Sequence, residues 1–126
     1  MSLLINFRSL WISQIFLIFV SFLPINLNLV HVVRVNAFRL VLDKFIQSFP
    51  NETVQFVNLG SGFDTISFYA LKKYPNVICF DTDFDDQMKT KSKIVYENDC
   101  FKQLLPDLKL ENGFVTSNRY KIVSIS

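Results

Sequence analysis

Gly60 and Gly62 flank Ser61 at the end of the apolar run Val54–Leu59, and Asp64 follows in the same turn. The chain has only three glycines, and two of them are spent here. Glycine lets a backbone turn sharply and lets a ligand approach it closely. A second apolar run, Val77–Phe80, leads into Asp81 and Asp83. An acid about 20 residues beyond a Gly-x-Gly turn is placed to accept hydrogen bonds from a ribose diol. Together these residues describe a site for an adenosine-bearing cofactor.

The loop chemistry narrows the choice. A dinucleotide site asks for G-x-G-x-x-G, with a helix N-terminus facing pyrophosphate. Here Thr65 stands at the third glycine position, and Asp64 would repel a phosphate. S-adenosylmethionine has no phosphate; it carries a sulfonium and an α-ammonium group, and an acidic loop suits both. The residues therefore favour methyl transfer over hydride transfer. The bland alternative is a plain glycine turn with Asp64 as a helix cap.

Such a site needs strands to carry it. Apolar residues at 38, 41, 42, 45, 46 and 49 predict a helix, with Asn36 as its cap and Pro50 just past its end. Asn51-Glu52-Thr53 reads as a turn, Val54–Leu59 as a strand, and Asp64 as the cap of a helix running to Lys73. Val77–Phe80 is wholly apolar, as in a buried parallel strand. Asp85 to Val95 predicts a surface helix, acids first and Lys89, Lys91 and Lys93 later, in accord with its dipole. Residues 96–113 read as a connection with one helical turn near Phe101–Leu105, and Arg119–Ser126 as a third strand. The alternation predicts an α/β fold with a parallel sheet, Rossmann-like but incomplete at about three strands. Ligands of such sheets sit beyond the carboxyl ends of the strands, where both motifs lie.

Half of the residues are apolar and fourteen are Phe, enough for a real core and against disorder. The formal charge of +2 is small, and no basic stripe indicates nucleic acid. His31 is the only histidine, so a histidine-based metal site or a Ser-His-Asp triad is poorly supplied. Cys79 and Cys100 read as small core residues rather than a disulfide framework. Residues 9–33 contain no Lys, Arg, Asp or Glu. Residues 1–30 are accordingly set apart as an apolar segment, open to reading as a membrane or signal segment, a buried helix or a non-native start.

The ordered motifs resemble the leucine carboxyl methyltransferase family. They are "RVNAFRLVLDKFI" from Arg34, "VNLGSGFDT" at 57–65, "DTDF" at 81–84, Lys91, and "NRYKIVSIS" at the end. The resemblance covers about Val32 to Ser126. It implies a class I methyltransferase fold of which residues 31–126 are the N-terminal part, with S-adenosylmethionine as cofactor. It implies that Arg34 pairs with the methionine carboxylate, that Gly60 and Gly62 give backbone approach, and that Asp83 binds the ribose. It implies no catalytic acid or base and no metal ligand. The acceptor it implies is the C-terminal leucine carboxylate of the protein phosphatase 2A catalytic subunit, in the cytoplasm. A sister group acts in tRNA wybutosine synthesis, and the residues do not separate the two. Asp85 departs from the family's proline, and the family's Asp-Leu pair after the third strand is not met by Ser126. A truncated, non-catalytic cofactor-binding or interaction protein, or one anchored to a membrane through residues 9–33, are the rival expectations.

Overall fold

A computed structural model of the chain describes residues 28–125. Helix α1 spans Asn28–Gln47, β1 Val54–Leu59, α2 Ile66–Lys73, β2 Val77–Asp83, α3 Asp85–Glu97 and α4 Asp99–Leu104. Three strands follow: β3 Lys109–Glu111, β4 Phe114–Thr116 and β5 Tyr120–Ser124. They form one sheet in the order β1-β2-β5-β4-β3. The pairs β1–β2 and β2–β5 are parallel, whereas β3–β4 and β4–β5 are antiparallel.

The α/β reading holds, with a mixed sheet of five strands in which three are parallel. Two strands were not foreseen. Residues 96–113 are not a plain connection, because Glu111 pairs with Phe114 across a two-residue turn. Asn112 and Gly113 both take positive φ, 53° and 87°. That is the backbone of a tight hairpin turn whose twist matches its strands, and Asn-Gly is its preferred sequence. The signal lay in "KLENGFVT".

Other boundaries also move. The helix expected from Asn36 begins at Asn28, so Asn36 is an exposed interior residue and not a cap. No Gly or Pro lies between Asn28 and Gln47, and an interior Asn costs only a few tenths of a kcal/mol. The second strand runs on through Asp83, because β5 pairs with it as far as Asp83↔Ser124. Asp81 and Asp83 are therefore strand residues, not loop residues. Cys79 is buried as expected, but Cys100 is exposed; both are free thiols. On the short helix α4, Phe101 packs on the core while its neighbour Cys100 turns outward.

The strand alternation sorts the core. Val54, Phe56 and Asn58 of β1 share a face with Val77, Cys79 and Asp81 of β2, and Phe56 meets Phe38 of α1 edge-on at 6.3 Å. Leu42 and Ile46 of α1 and Leu71 of α2 join the same cluster with Tyr120 of β5. Each such side chain, fully buried, stabilises by roughly 1.5–3 kcal/mol. Helix α3 is amphipathic rather than a surface helix: Met88, Lys91, Ser92 and Val95 form its buried stripe. Its spacing of three and four residues is that of one helix face.

Most of the apolar N-terminal segment, residues 1–27, lies outside the described residues. Among the described residues, no helix is long and apolar enough to cross a membrane.

Candidate functional site

The strand ends bring the glycine loop and both acids to one edge of the sheet. Gly60 leaves β1 with φ +68° and Gly62 follows with φ +50°. Both values are left-handed, where an L side chain is strained. A Cβ placed on Gly60 would meet no atom within 4 Å. The backbone there faces open space, so something outside the loop can come up against it.

Hydrogen bonds to β2 and α3 fasten this loop to its surroundings. Ser61 N donates to Thr82 O at 2.9 Å. Gly62 N donates to Asp83 Oδ2 at 2.9 Å, while Phe84 N donates to Asp83 Oδ1 at 2.8 Å. Lys91 Nζ donates to the Asp64 carbonyl oxygen at 2.9 Å. Asp83 is half-buried, and each of its oxygens keeps acceptor capacity beyond these bonds.

Beside the loop opens a cleft of about 380 Å³. Arg34 and Arg39 of α1 line one wall, and Asn58, Gly60, Phe63 and Asp64 line the other. The structure thus brings Arg34 and Gly60 to one cleft. Gly62 and Asp83 are hydrogen-bonded to each other on the adjoining flank of the loop and do not line it. Phe63 and Phe84 stand exposed at the two strand ends.

Asp64 does more than cap. Helix α2 starts at Ile66, and Thr65 at its N-cap makes no side-chain capping bond. Asp64 Oδ1 instead accepts from Ile66 N at 3.3 Å and from Asn58 Nδ2 at 3.0 Å. The residue is exposed, yet its carboxylate is turned inward. Loss of water, then the nearby Asp81 charge, raises the Asp64 carboxyl above its usual range. An acid thus occupies the helix N-terminus where a dinucleotide would place its pyrophosphate.

Behind the loop lies a buried polar cluster, parts of which sequence reasoning missed. Lys91 Nζ and Asp81 Oδ2 pair at 2.7 Å with side chains only 5% and 0% exposed. Asp81 Oδ2 also accepts from Tyr120 Oη at 2.6 Å, and Oδ1 accepts from Ser67 Oγ at 2.5 Å. Asn58 Nδ2 completes the shell at 3.4 Å. Burial, then the Asp81 charge, pushes the Tyr120 hydroxyl well up, so it stays a donor. Removing one partner of such a buried pair costs roughly 3–5 kcal/mol. Asn58 and Ser67 had one available signal, a polar residue between two apolar neighbours (Val57 and Leu59, Ile66 and Phe68), whereas Tyr120, between Arg119 and Lys121, had none.

The leucine carboxyl methyltransferase family profile matches residues 23–107, which include α1, the glycine loop, both acids and Lys91. The chain belongs to the leucine carboxyl methyltransferase family. Methyltransferases of this kind generally take S-adenosylmethionine, and the open backbone at Gly60 beside an acid-held loop fits that cofactor. Among curated proteins, the chain is similar to tRNA wybutosine-synthesizing protein 4 of Candida albicans, 33% identical over 79 residues. That match takes in 60% of this chain and 12% of the relative's length. The chain thus spans only a small part of that relative's length.

Proposed function

We propose that the chain forms the cofactor-binding wall of an S-adenosylmethionine-dependent carboxyl methyltransferase. The observation that carries this reading is Gly60, a positive-φ glycine facing open space at the end of β1. Asp83, at the next strand's end, keeps lone pairs for ribose hydroxyls while it holds Gly62. Arg34 faces the cleft from α1 and is the donor for a methionine carboxylate, a bidentate task suited to guanidinium. Asp64 adds negative potential for cationic groups and disfavours phosphate.

Bound S-adenosylmethionine supplies an electrophilic methyl group on a sulfonium. A carboxylate acceptor is already ionised at neutral pH, so no general base is needed from this chain. The chain's part is to hold and orient, and to keep water from the nucleophile. The acceptor we propose is the C-terminal leucine carboxylate of the protein phosphatase 2A catalytic subunit. One observation favours a second acceptor, on tRNA: the similarity to a relative named for wybutosine synthesis.

Thermal denaturation with S-adenosylhomocysteine and, separately, NADH tests the cofactor reading. S-adenosylhomocysteine at millimolar concentration is expected to raise the melting temperature by a few degrees, and NADH to leave it unchanged. No shift with S-adenosylhomocysteine, or a shift with NADH alone, overturns it. Methyl transfer to a leucine-terminated phosphatase peptide or to tRNA then separates the acceptors.

A further inference from the structure

We infer that Lys91 is a positioning residue, which holds the glycine loop in shape through the backbone carbonyl of Asp64, with Asp81 as its buried counter-charge. Lys91 belongs to α3 and does not line the cleft. Its ammonium sits at 2.7 Å from Asp81 Oδ2 and 2.9 Å from Asp64 O.

A lysine on the buried stripe of a helix calls for a reason. Packing alone would be served as well by methionine or leucine, because desolvating two charges offsets much of their attraction. What an apolar side chain cannot do is donate to a loop carbonyl. The backbone fasteners Ser61 N to Thr82 O and Gly62 N to Asp83 Oδ2 lie near the loop's start, as does the bond from Ser61 Oγ to Met88, while at the far end Asn58 Nδ2 holds only the Asp64 side chain. Lys91 holds the backbone of that far end, where the chain turns into α2. It also places a positive charge among two carboxylates that share the amide of Asn58, those of Asp64 and Asp81. Without it, these acids repel one another across Asn58, and the Asp64 carbonyl loses its charged donor. The conformation set in this way is the one in which Gly60 presents open backbone to the cleft.

The test compares two charge-neutral pairs in the full chain. Asp81→Asn with Lys91→Met removes both charges and the donor. Asp81→Asn with Lys91→Gln removes both charges but keeps a donor. Amide hydrogen exchange at Ser61, Gly62 and Asp64 is read against the β1–β2 ladder amides. The Met pair is expected to exchange at these loop amides at least about tenfold faster than the wild type, with the ladder unchanged; the Gln pair is expected to recover most of the protection. In parallel, S-adenosylhomocysteine affinity is expected to fall by about tenfold in the Met pair and less in the Gln pair, a tenfold change being about 1.4 kcal/mol. Wild-type loop exchange in the Met pair, or equal loosening in both pairs, overturns the inference. If the Met pair does not fold, Tyr120→Phe supplies the comparison. It strips Asp81 of one donor but leaves the bond from Lys91 to Asp64, so loop exchange should stay within about twofold of wild type. Faster exchange there means that the whole cluster, not Lys91, sets the loop, and the inference fails. The affinity arm rests on the cofactor reading above, whereas the exchange arm does not. A wild type that binds no S-adenosylhomocysteine counts against that reading alone.

Discussion

Asp83 Oδ2 accepts the backbone N–H of Gly62 at 2.9 Å, so the acid proposed for the ribose also holds the glycine loop against its strand. The two roles are separable by substitution. Asp83→Asn keeps an acceptor for Gly62 but loses the charge; Asp83→Ala loses both. The Ala variant is expected to lower stability by about 1–2 kcal/mol and to abolish the S-adenosylhomocysteine shift. The Asn variant should retain most of the stability while binding at least about tenfold more weakly, because hydrogen bonds to a charged acceptor are the stronger ones. Urea titration and calorimetry on both variants check this.

Gly60 invites a different separation. A methyl group there meets no atom within 4 Å, so Gly60→Ala incurs backbone strain at φ +68° without a collision. The expected loss of stability is about 1 kcal/mol. Ligand binding should suffer far more than stability, since the methyl projects into the open space proposed for the cofactor. Equal wild-type and variant affinities for S-adenosylhomocysteine would show that the ligand does not approach this backbone.

Arg34 lines the cleft from a half-buried place on α1. Arg34→Ala should change stability by no more than about 0.5 kcal/mol, the usual size for a surface position. Affinity for S-adenosylhomocysteine should fall roughly 10–100-fold, the worth of a charge-assisted contact. Decarboxylated S-adenosylhomocysteine, which lacks the partner group, should bind both forms alike. Competition calorimetry reads both ligands.

Asp43 gives the helical layer a stabilisation that acid removes. Its carboxylate takes the Tyr69 and Tyr74 hydroxyls and Lys73 Nζ, joining α1 to α2 and to the residue after it. Burial pushes this carboxyl upward, but the hydrogen bonds from Tyr74, Tyr69 and Lys73 outweigh it and hold the carboxyl below its usual range. A lowered folded-state value means that the stabilisation is present above the unfolded value, near 3.8, and is lost as pH falls through the lower folded one. Asp43→Asn is therefore expected to lower stability at pH 7 by about 1–2 kcal/mol, discounted for the partly exposed Lys73. The gap from wild type should narrow as pH falls below 3.8 and through the lower folded value. Melting curves from pH 2 to 7, a range of roughly five units around the carboxylate values, give the profile.

Much of this layout can be read from residue types. Apolar runs ending in glycine or acid mark β1 and β2, and their order with the helices implies a parallel core. Thr65 and Asp64 already argue against phosphate, because their identities alone alter the turn and its charge. The Asn112–Gly113 hairpin was legible too, in a local code that needs no distant partner. Helix limits were less so: Asn36 has the chemistry of a cap, and only the continuous hydrogen bonding of α1 from Asn28 makes it an interior residue.

Long-range placement is another matter. Lys91 follows the dipole pattern of a solvated helix, and nothing within α3 says that its ammonium meets Asp81 and Asp64 in the interior. Asp81 and Asp83 are two residues apart on one strand, yet the first is fully buried and the second latches a loop. Their fates depend on what packs opposite them: Ser67 and Tyr120 for one, Gly62 for the other. Local sequence sets backbone preference and charge, which act over a few residues. Partnerships across 27 or 39 positions, as between Asp64 and Lys91 or Asp81 and Tyr120, exist only once the sheet has brought the strands side by side.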